Sequence, residues 1–470
     1  MDLEESVELV SRKDGEIIVE GSYQGLTITP EGLHLKEHGQ EKARMAMYAS
    51  HGLSMWGQRA WEFLVGLVMI EIYPSSLFLV ALFGICDSAA VTLLSPYVGY
   101  LVDSLPRYKA ACSMYLLQNV SVLTSGVGCS LLLWRKSEVP GNAFFFHGMI
   151  AMSILAACLS SLGATGASIS VEREWTKTLC RGNDSDLAAV NAVMKRVDLL
   201  CLIASPIVIG LFMTHFGAMT AIIFFCSWNI VSWPFECWFL HLARQSSPWL
   251  KERKSESECH VNFPKIGMPW LTGLLVYFQQ PFTASAFALA LIYLTVMSFG
   301  TVMTGYLAWT GVSEFKLSIF RGLGAVSGVC ATLAFPMLYR NQGLQRSGLL
   351  GIWVQFISLL LSIVPYLLKY IGMDVSVQLS STFLMSGLAL SRFGLWLFDL
   401  ACNQIIQDEA PRELLGNIFG TQQSLQSLFQ TISFAITLAA PDPAIFFFLM
   451  AGSTLVVLAA AMLFTISILK

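Results

Sequence analysis

The chain is short of charge. Asp, Glu, Lys and Arg make up 13% of its 470 residues while 55% are hydrophobic, and the mean hydropathy is +0.63. A water-soluble protein carries about 25% charged residues, so the deficit excludes an ordinary soluble enzyme, a basic nucleic-acid-binding domain and a disordered chain together. Too little charged surface remains to keep such a chain in water. The net charge is -3, and no lysine–arginine run of the kind that tracks phosphates is present, so nucleic acid is not an expected partner. A GxxxxGK[ST] loop is also missing, which leaves ATP without an evident role as energy source. No nucleophile–base pair and no His/Asp/Glu metal-ligand motif stands out, so neither catalysis nor a bound cofactor is expected. Eleven cysteines are present, but nine of them lie within or beside apolar stretches, where they read as small hydrophobes rather than as a disulfide framework.

What the sequence does hold is long apolar runs. A membrane helix needs about 20 mainly apolar residues, and twelve such stretches can be marked at 45–72, 77–102, 108–134, 143–170, 189–215, 218–242, 283–309, 315–339, 347–370, 377–404, 414–439 and 443–469. The expectation is an all-α, multi-pass membrane protein with the lipid bilayer around it. Residues 1–44 form a polar arm with ten acidic residues, unlike a cleaved signal or a transit peptide, and are expected to be a cytosolic tail. Placing the amino terminus in the cytosol puts thirteen loop lysines and arginines inside and four outside, so both termini are expected to be cytosolic.

The polar segment 243–282 divides the helices six and six, into halves 45–242 and 283–470. Two six-helix halves joined by a cytosolic linker is the layout of the major facilitator transporters, whose site lies between the halves. The loop Gly99-Tyr100-Leu101-Val102-Asp103-Ser104-Leu105-Pro106-Arg107 keeps the Gly, Asp and Arg spacing of that superfamily's signature.

A charge at the centre of a membrane helix costs about 2.5–3.5 kcal/mol on insertion scales, so intramembrane polar residues are informative. In the first stretch His51, Gln58 and Glu62 are spaced seven and four apart and share a helical face. The neighbouring Arg59 offers Glu62 an ion-pair partner, which is the plain alternative to a binding role. Gln118 and Asn119 interrupt the third stretch, and Asn229 and Glu236, seven apart, share a face of the sixth. Interhelical hydrogen bonding explains any one of these. Together, carboxylate, amide and imidazole groups without thiolate or thioether suit a hard to borderline divalent cation.

A second group, Asp103, Arg107, Glu174, Lys195, Arg196 and Asp198, lies at the cytosolic helix ends, where ion pairs would form and break as a gate. Asp87, Arg321, Arg392 and Asp399 are further charges without an assignable partner. The glycosylation sequons at Asn119 and Asn183 fall in a helix and in an expected cytosolic loop, and carry no weight.

The stretches 51–63 (HGLSMWGQRAWEF), 118–121 (QNVS), 171–175 (VEREW), 196–198 (RVD) and 391–400 (SRFGLWLFDL) resemble the ferroportins, solute carrier family 40. The resemblance covers nearly all twelve helices and implies a major facilitator fold exporting ferrous iron and related divalent metals. It places Gln58 where animal members have a metal-binding aspartate, and Glu62 where they have a histidine. It matches Gln118, Asn119, Asn229 and Glu236 to a divalent cation site, calcium included. In the second half the animal cysteine and histidine ligands correspond to Thr301 and Ser433, so the second metal site, proton exchange through the histidine and hormone regulation through the cysteine do not carry over. The Phe299-Gly300-Thr301 and Trp61-Glu62-Phe63 forms resemble plant ferroportins, which are similar to iron, cobalt and nickel effluxers of the plasma or vacuolar membrane. Gly300 and Gly305 flank a place where the seventh helix is expected to unwind, with Thr301 as an oxygen ligand.

The expectation is therefore a monomer of twelve helices that moves Fe2+, cobalt or nickel out of the cytosol by alternating access, with calcium as a candidate modulator. The competing readings are a carrier for a metal chelate or small organic solute, and a non-transporting membrane receptor or scaffold.

Overall fold

The computed structural model describes residues 10–13, 16–19, 30–72, 78–134, 143–181, 183–251, 269–299, 301–439 and 445–469. A short hairpin pairs β1 (Val10–Lys13) with β2 (Glu16–Val19) in the polar arm. Helix α1 runs from Pro30 to Ile72. It starts well before residue 45 because Pro30 is suited to a first helical turn and the charged residues that follow are good helix formers, although not apolar ones.

Helices α2 (Phe78–Ser104), α3 (Arg107–Trp134) and α4 (Ala143–Ala167) follow. Helix α4 continues into an eight-residue π-helix, Ser168–Trp175, and the single turn α5 (Thr176–Leu179). Helix α6 (Asp184–Ser246) opens on Asn183, whose side chain accepts from the Asp186 N–H at 3.1 Å. It has 63 residues, too many for one crossing, and Gly217 divides it with φ 79°. That left-handed conformation is open to glycine at little cost, and the result is two crossings with a sharp turn between them.

After the single turn α7 (Pro248–Lys251) come α8 (Pro269–Phe278), α9 (Thr283–Leu291), α10 (Thr301–Trp309), α11 (Glu314–Gln342), α12 (Leu344–Tyr370), α13 (Val377–Glu409), α14 (Leu415–Ala439) and α15 (Phe446–Leu469). Eight helices among the described residues are long and apolar enough to cross a membrane, α6 being one of them. The kink in α6 makes nine crossings. The other three are α1 with its polar stripe, the interrupted pair α9–α10, and α14 with its Gln and Ser residues. Helices α1 and α14 fall short in apolarity because they carry polar groups into the bundle, whereas α9 and α10 are apolar but only nine residues long each.

Helix α1 packs along α6 and α3 along α4, while α13 packs between α11 and α12, and α15 against α12 and α9. The two six-helix halves meet where α2 runs against α14 and α6 against α11. The expected unwinding of the seventh crossing is present but displaced. Residues 301–309 are helical, and the break lies on the other side of Gly300, over 292–299. Ile292, Tyr293, Thr295 and Val296 are poor helix formers, and the freed backbone groups find partners: Val296 N–H donates to Ser453 Oγ at 3.0 Å, Met297 N–H to Thr295 Oγ1 at 3.0 Å. Such repair is what permits irregular backbone at membrane depth.

Candidate functional site

Helix α1 presents its polar stripe to two different neighbours. Near the middle of the first six helices, Ser50 Oγ donates to the Glu236 carbonyl at 2.9 Å and Ser54 Oγ to Gln118 Oε1 at 3.4 Å. Asn119 Nδ2 donates to the Tyr115 carbonyl at 2.9 Å and to Glu236 Oε2 at 3.3 Å. Glu236 is 1% exposed, and Asn119 Oδ1 is buried without a hydrogen-bond partner among the described residues. Asn229 Nδ2 donates to the Phe225 carbonyl at 2.8 Å, while its Oδ1 faces Gly57, where any Cβ would stand 2.9 Å away. Gly57 is what allows the amide so close to α1. His51 Nε2 donates to the Met194 carbonyl at 3.2 Å, which ties the ring to α6. No cluster of three His, Cys, Asp or Glu suited to a metal occurs among the described residues, so a cation held by this patch would draw on amide oxygens, the chemistry of hard ions.

The lower part of the stripe joins a charge network. Gln58 Nε2 donates to Glu62 Oε1 at 2.9 Å, and Arg59 Nη1 to Glu62 Oε2 at 2.9 Å. Arg59 also holds Asp198 Oδ1 through Nε at 2.9 Å and Nη2 at 2.7 Å. Lys195 Nζ donates to the other Asp198 oxygen at 3.3 Å and lies 4.0 Å from Asp399 Oδ2, with the Trp396 ring centroid 4.1 Å away. Alternating charges thus run from Glu62 in the first half to Asp399 in the second. Lys195 and Asp198 stand in this network rather than beside Asp103.

The remaining members of the second group lie where the halves touch. Asp103 accepts from the Gly416 and Asn417 N–H groups, both at 2.8 Å. Arg107 Nε donates to Glu174 Oε1 at 3.1 Å within the first half, and Arg196 reaches Thr332 Oγ1 and its carbonyl at 3.2 and 3.3 Å across the interface. The backbones of α2 and α14 meet at glycines: a Cβ on Gly99 or Gly420 would overlap the Gly416 or Ser95 carbonyl oxygen.

Sequence reasoning passed over Gln407, which ties this contact between the halves together. Its Nε2 lies 3.1 Å from the Glu172 carbonyl, 3.2 Å from that of Arg173 and 3.1 Å from Thr176 Oγ1, while its Oε1 accepts from Asn191 Nδ2 at 2.6 Å. The π-helix supplies those two carbonyls, as π-turns commonly do at functional sites. Gln404 Nε2 adds a bond to the Asp184 carbonyl at 3.0 Å. The signal was available, since amides inside an apolar helix are as informative in α13 as in α3.

A cavity of about 240 Å³ opens at the break between α9 and α10, lined by Tyr293, Gln355, Arg392, Trp396, Asp399 and Ser433 among others. Arg392 and Asp399, unassigned from sequence, are therefore cavity residues. The Thr301 side chain lies outside the described residues; Ser433, its expected counterpart in α14, is on the cavity wall.

Comparisons with known proteins agree with this architecture. The Ferroportin1 (FPN1) family model matches residues 41–457. Solute carrier family 40 member 1 of Oryza sativa subsp. japonica is 31% identical over 441 residues, covering 90% of each chain. Among solved structures, a bacterial homologue of iron transporter ferroportin in the outward-facing state aligns with TM-score 0.80 at 22% identity over 91% of this chain and 100% of that one. A bacterial homologue in the inward-facing state aligns less closely, with TM-score 0.61 at 22% identity over 90% and 98%. The relatives are named as carriers and transporters, not enzymes, and the fold is that of the major facilitator transporters. With the family model spanning nearly all of the described helices, the chain belongs to the ferroportin family as a multi-pass membrane protein similar to its plant members.

Proposed function

We propose that this protein exports ferrous iron, and with it cobalt and nickel, from the cytosol by alternating access. The observation that carries the reading is the charge network from Glu62 through Arg59, Asp198 and Lys195 to Asp399, which couples the two halves beside the polar stripe of α1. A cation neutralising Glu62 or Asp399 would compete with Arg59 or Lys195 for its carboxylate, and so loosen the contact between halves. Loading is thereby linked to movement.

In this reading the metal contacts are Glu62 and Gln58, and the patch of Gln118, Asn119, Asn229 and Glu236 is a second cation position able to take calcium as modulator. His51 and Thr301 play lesser parts. Asp103, Arg107, Glu174 and Arg196 form the cytosolic gate, closed here, and Lys195 and Asp198 transmit its state to the cavity. The closer likeness to the outward-facing homologue supports that assignment of sides. The chain works as a monomer, with both termini in the cytosol, in the plasma or vacuolar membrane.

The test is Co2+ and Fe2+ uptake into proteoliposomes holding the purified protein, beside Glu62→Ala and Asn229→Ala. Saturable flux that falls in both variants supports metal transport through the first half. Absent flux under any imposed gradient, from folded protein, overturns it in favour of the receptor or scaffold.

A further inference from the structure

The cavity at the α9–α10 break contains a cation for which the described residues supply no counter-ion. Arg59 and Lys195 each have a carboxylate within 4.0 Å. Arg392, by contrast, has one hydrogen-bond acceptor, the Met297 carbonyl at 3.0 Å from Nη2, and its Nε is buried with no hydrogen-bond partner among the described residues. The nearby Gln355 Oε1 is also without one. Holding a half-buried guanidinium, with its Nε shut off from water, against a single neutral carbonyl is costly, because the lost hydration is only partly replaced.

The geometry of α13 shows what would fit. Arg392, Trp396 and Asp399 are spaced four and three apart and all line the cavity. At 1.5 Å per residue, Arg392 and Asp399 stand about 10 Å apart along the helix axis, too far to pair directly, and Asp399 already faces Lys195. The cavity thus has an acidic end and a basic end, with the Trp396 indole between them and the Gln355, Ser298, Gln430 and Ser433 side chains around it. A guanidinium fork with free N–H groups is the side chain best matched to a carboxylate, which it can engage in two parallel bonds.

We propose that this cavity binds a small carboxylate anion on Arg392. The anion enters either free or as a ligand of the transported metal, with the metal toward Asp399. The inference rests on the metal-export reading for its second form only; the anion site stands on the cavity and on Arg392 alone. In either form the anion completes the solvation of Arg392 and joins α13 to the irregular segment 292–299, which Arg392 already touches through Met297.

The test is equilibrium binding of radiolabelled citrate and malonate to the full-length protein in nanodiscs, with and without Co2+. The wild-type protein should bind citrate saturably. Arg392→Lys should weaken binding about tenfold and Arg392→Gln should abolish it. Because loss of Arg392 can also disturb the helix break, a second variant, Ser433→Glu, places a carboxylate on the cavity wall. It should displace citrate by about tenfold or more and raise the melting temperature. Equal binding without Co2+ assigns the site to a free anion, and binding that requires Co2+ assigns it to a metal complex. Failure to bind in either arm, or affinity unchanged in Arg392→Gln or Ser433→Glu, overturns the proposal. Co2+ flux in carboxylate-free buffer, measured on the same preparation, reports separately on metal export.

Discussion

The Asp103 carboxylate accepts the Asn417 N–H at 2.8 Å, joining the end of α2 to the start of α14 across 314 positions of sequence. The Gly416 N–H fills its other oxygen at the same distance, so one side chain caps the first turn of a helix in the opposite half. Such a bond favours negative charge twice over, through the free N–H groups and through the helix dipole.

Replacing Asp103 by Ala should release this end of the bundle. Hydrogen bonds to charged groups contribute about 1.5–3 kcal/mol, and two are lost together. The closed state should therefore lose at least about tenfold in population, since 1.4 kcal/mol is tenfold. Hydrogen exchange at the amino-terminal turn of α14 checks this, with faster exchange confined to that turn and its contacts. Wild-type exchange there would show that the bonds do not hold the gate.

The glycines of the same contact make a sharper test. A Cβ on Gly416 would stand 2.5 Å from the Gly99 carbonyl oxygen and 2.6 Å from Asp103 Oδ1. Gly99→Ala and Gly420→Ala add only one carbon, yet each places it against the opposite backbone, which a flexible side chain cannot relieve. Spin-label distances between α2 and α14 should lengthen in both variants, while the melting temperature stays nearly constant because neither half is altered internally.

Arg59 serves two carboxylates, so its loss should be worse than the loss of the whole pair. Arg59→Gln leaves Asp198 buried with only Lys195 against it, and breaking a buried pair costs about 3–5 kcal/mol. Adding Asp198→Asn removes the stranded charge and should recover much of the stability. Melting of the two variants in detergent, compared with the parent, decides the matter. Equal melting of single and double variants would mean that Lys195 alone satisfies Asp198.

The division into twelve crossings was legible because apolar length is a local property, and the stretches 189–215 and 218–242 already part where Gly217 turns the chain. The first-helix stripe was legible too, since a period of 3.6 places Gln58 and Glu62 on one face. Their partners were not. Arg59 stands next to Gln58 in sequence, but its bond to Asp198 spans 139 positions, and nothing local distinguishes Asp198 at a helix end from Asp198 inside a charge network. The glycines at 300 and 305 point to a break after residue 300, yet residues 301–309 are helical and the irregular backbone lies at 292–299. The break is instead set by β-branched residues and by Ser453, a partner in another helix. Arg392 was visible as an anomalous charge, and its meaning required the cavity.

Glu236 and Asn119 allow a test of the second cation position that leaves the fold in place. Glu236→Gln keeps the shape of the side chain and an oxygen for the Asn119 amide, now at 3.3 Å from Oε2, so the protein should remain folded. It removes the only full negative charge that the patch offers a cation. A ligand present at 100 times its Kd stabilises a protein by about 2.7 kcal/mol, so Ca2+ should raise the melting temperature of the parent and not that of Glu236→Gln. Asn119→Asp acts in the opposite direction, because the unpartnered Oδ1 position becomes a second carboxylate oxygen beside Glu236. Without calcium the two like charges should lower the melting temperature, and with calcium they should bind it more tightly than the parent does. A parent that melts at the same temperature with and without Ca2+, while Asn119→Asp responds, would show that the natural patch serves helix packing and that one added charge makes it an ion site.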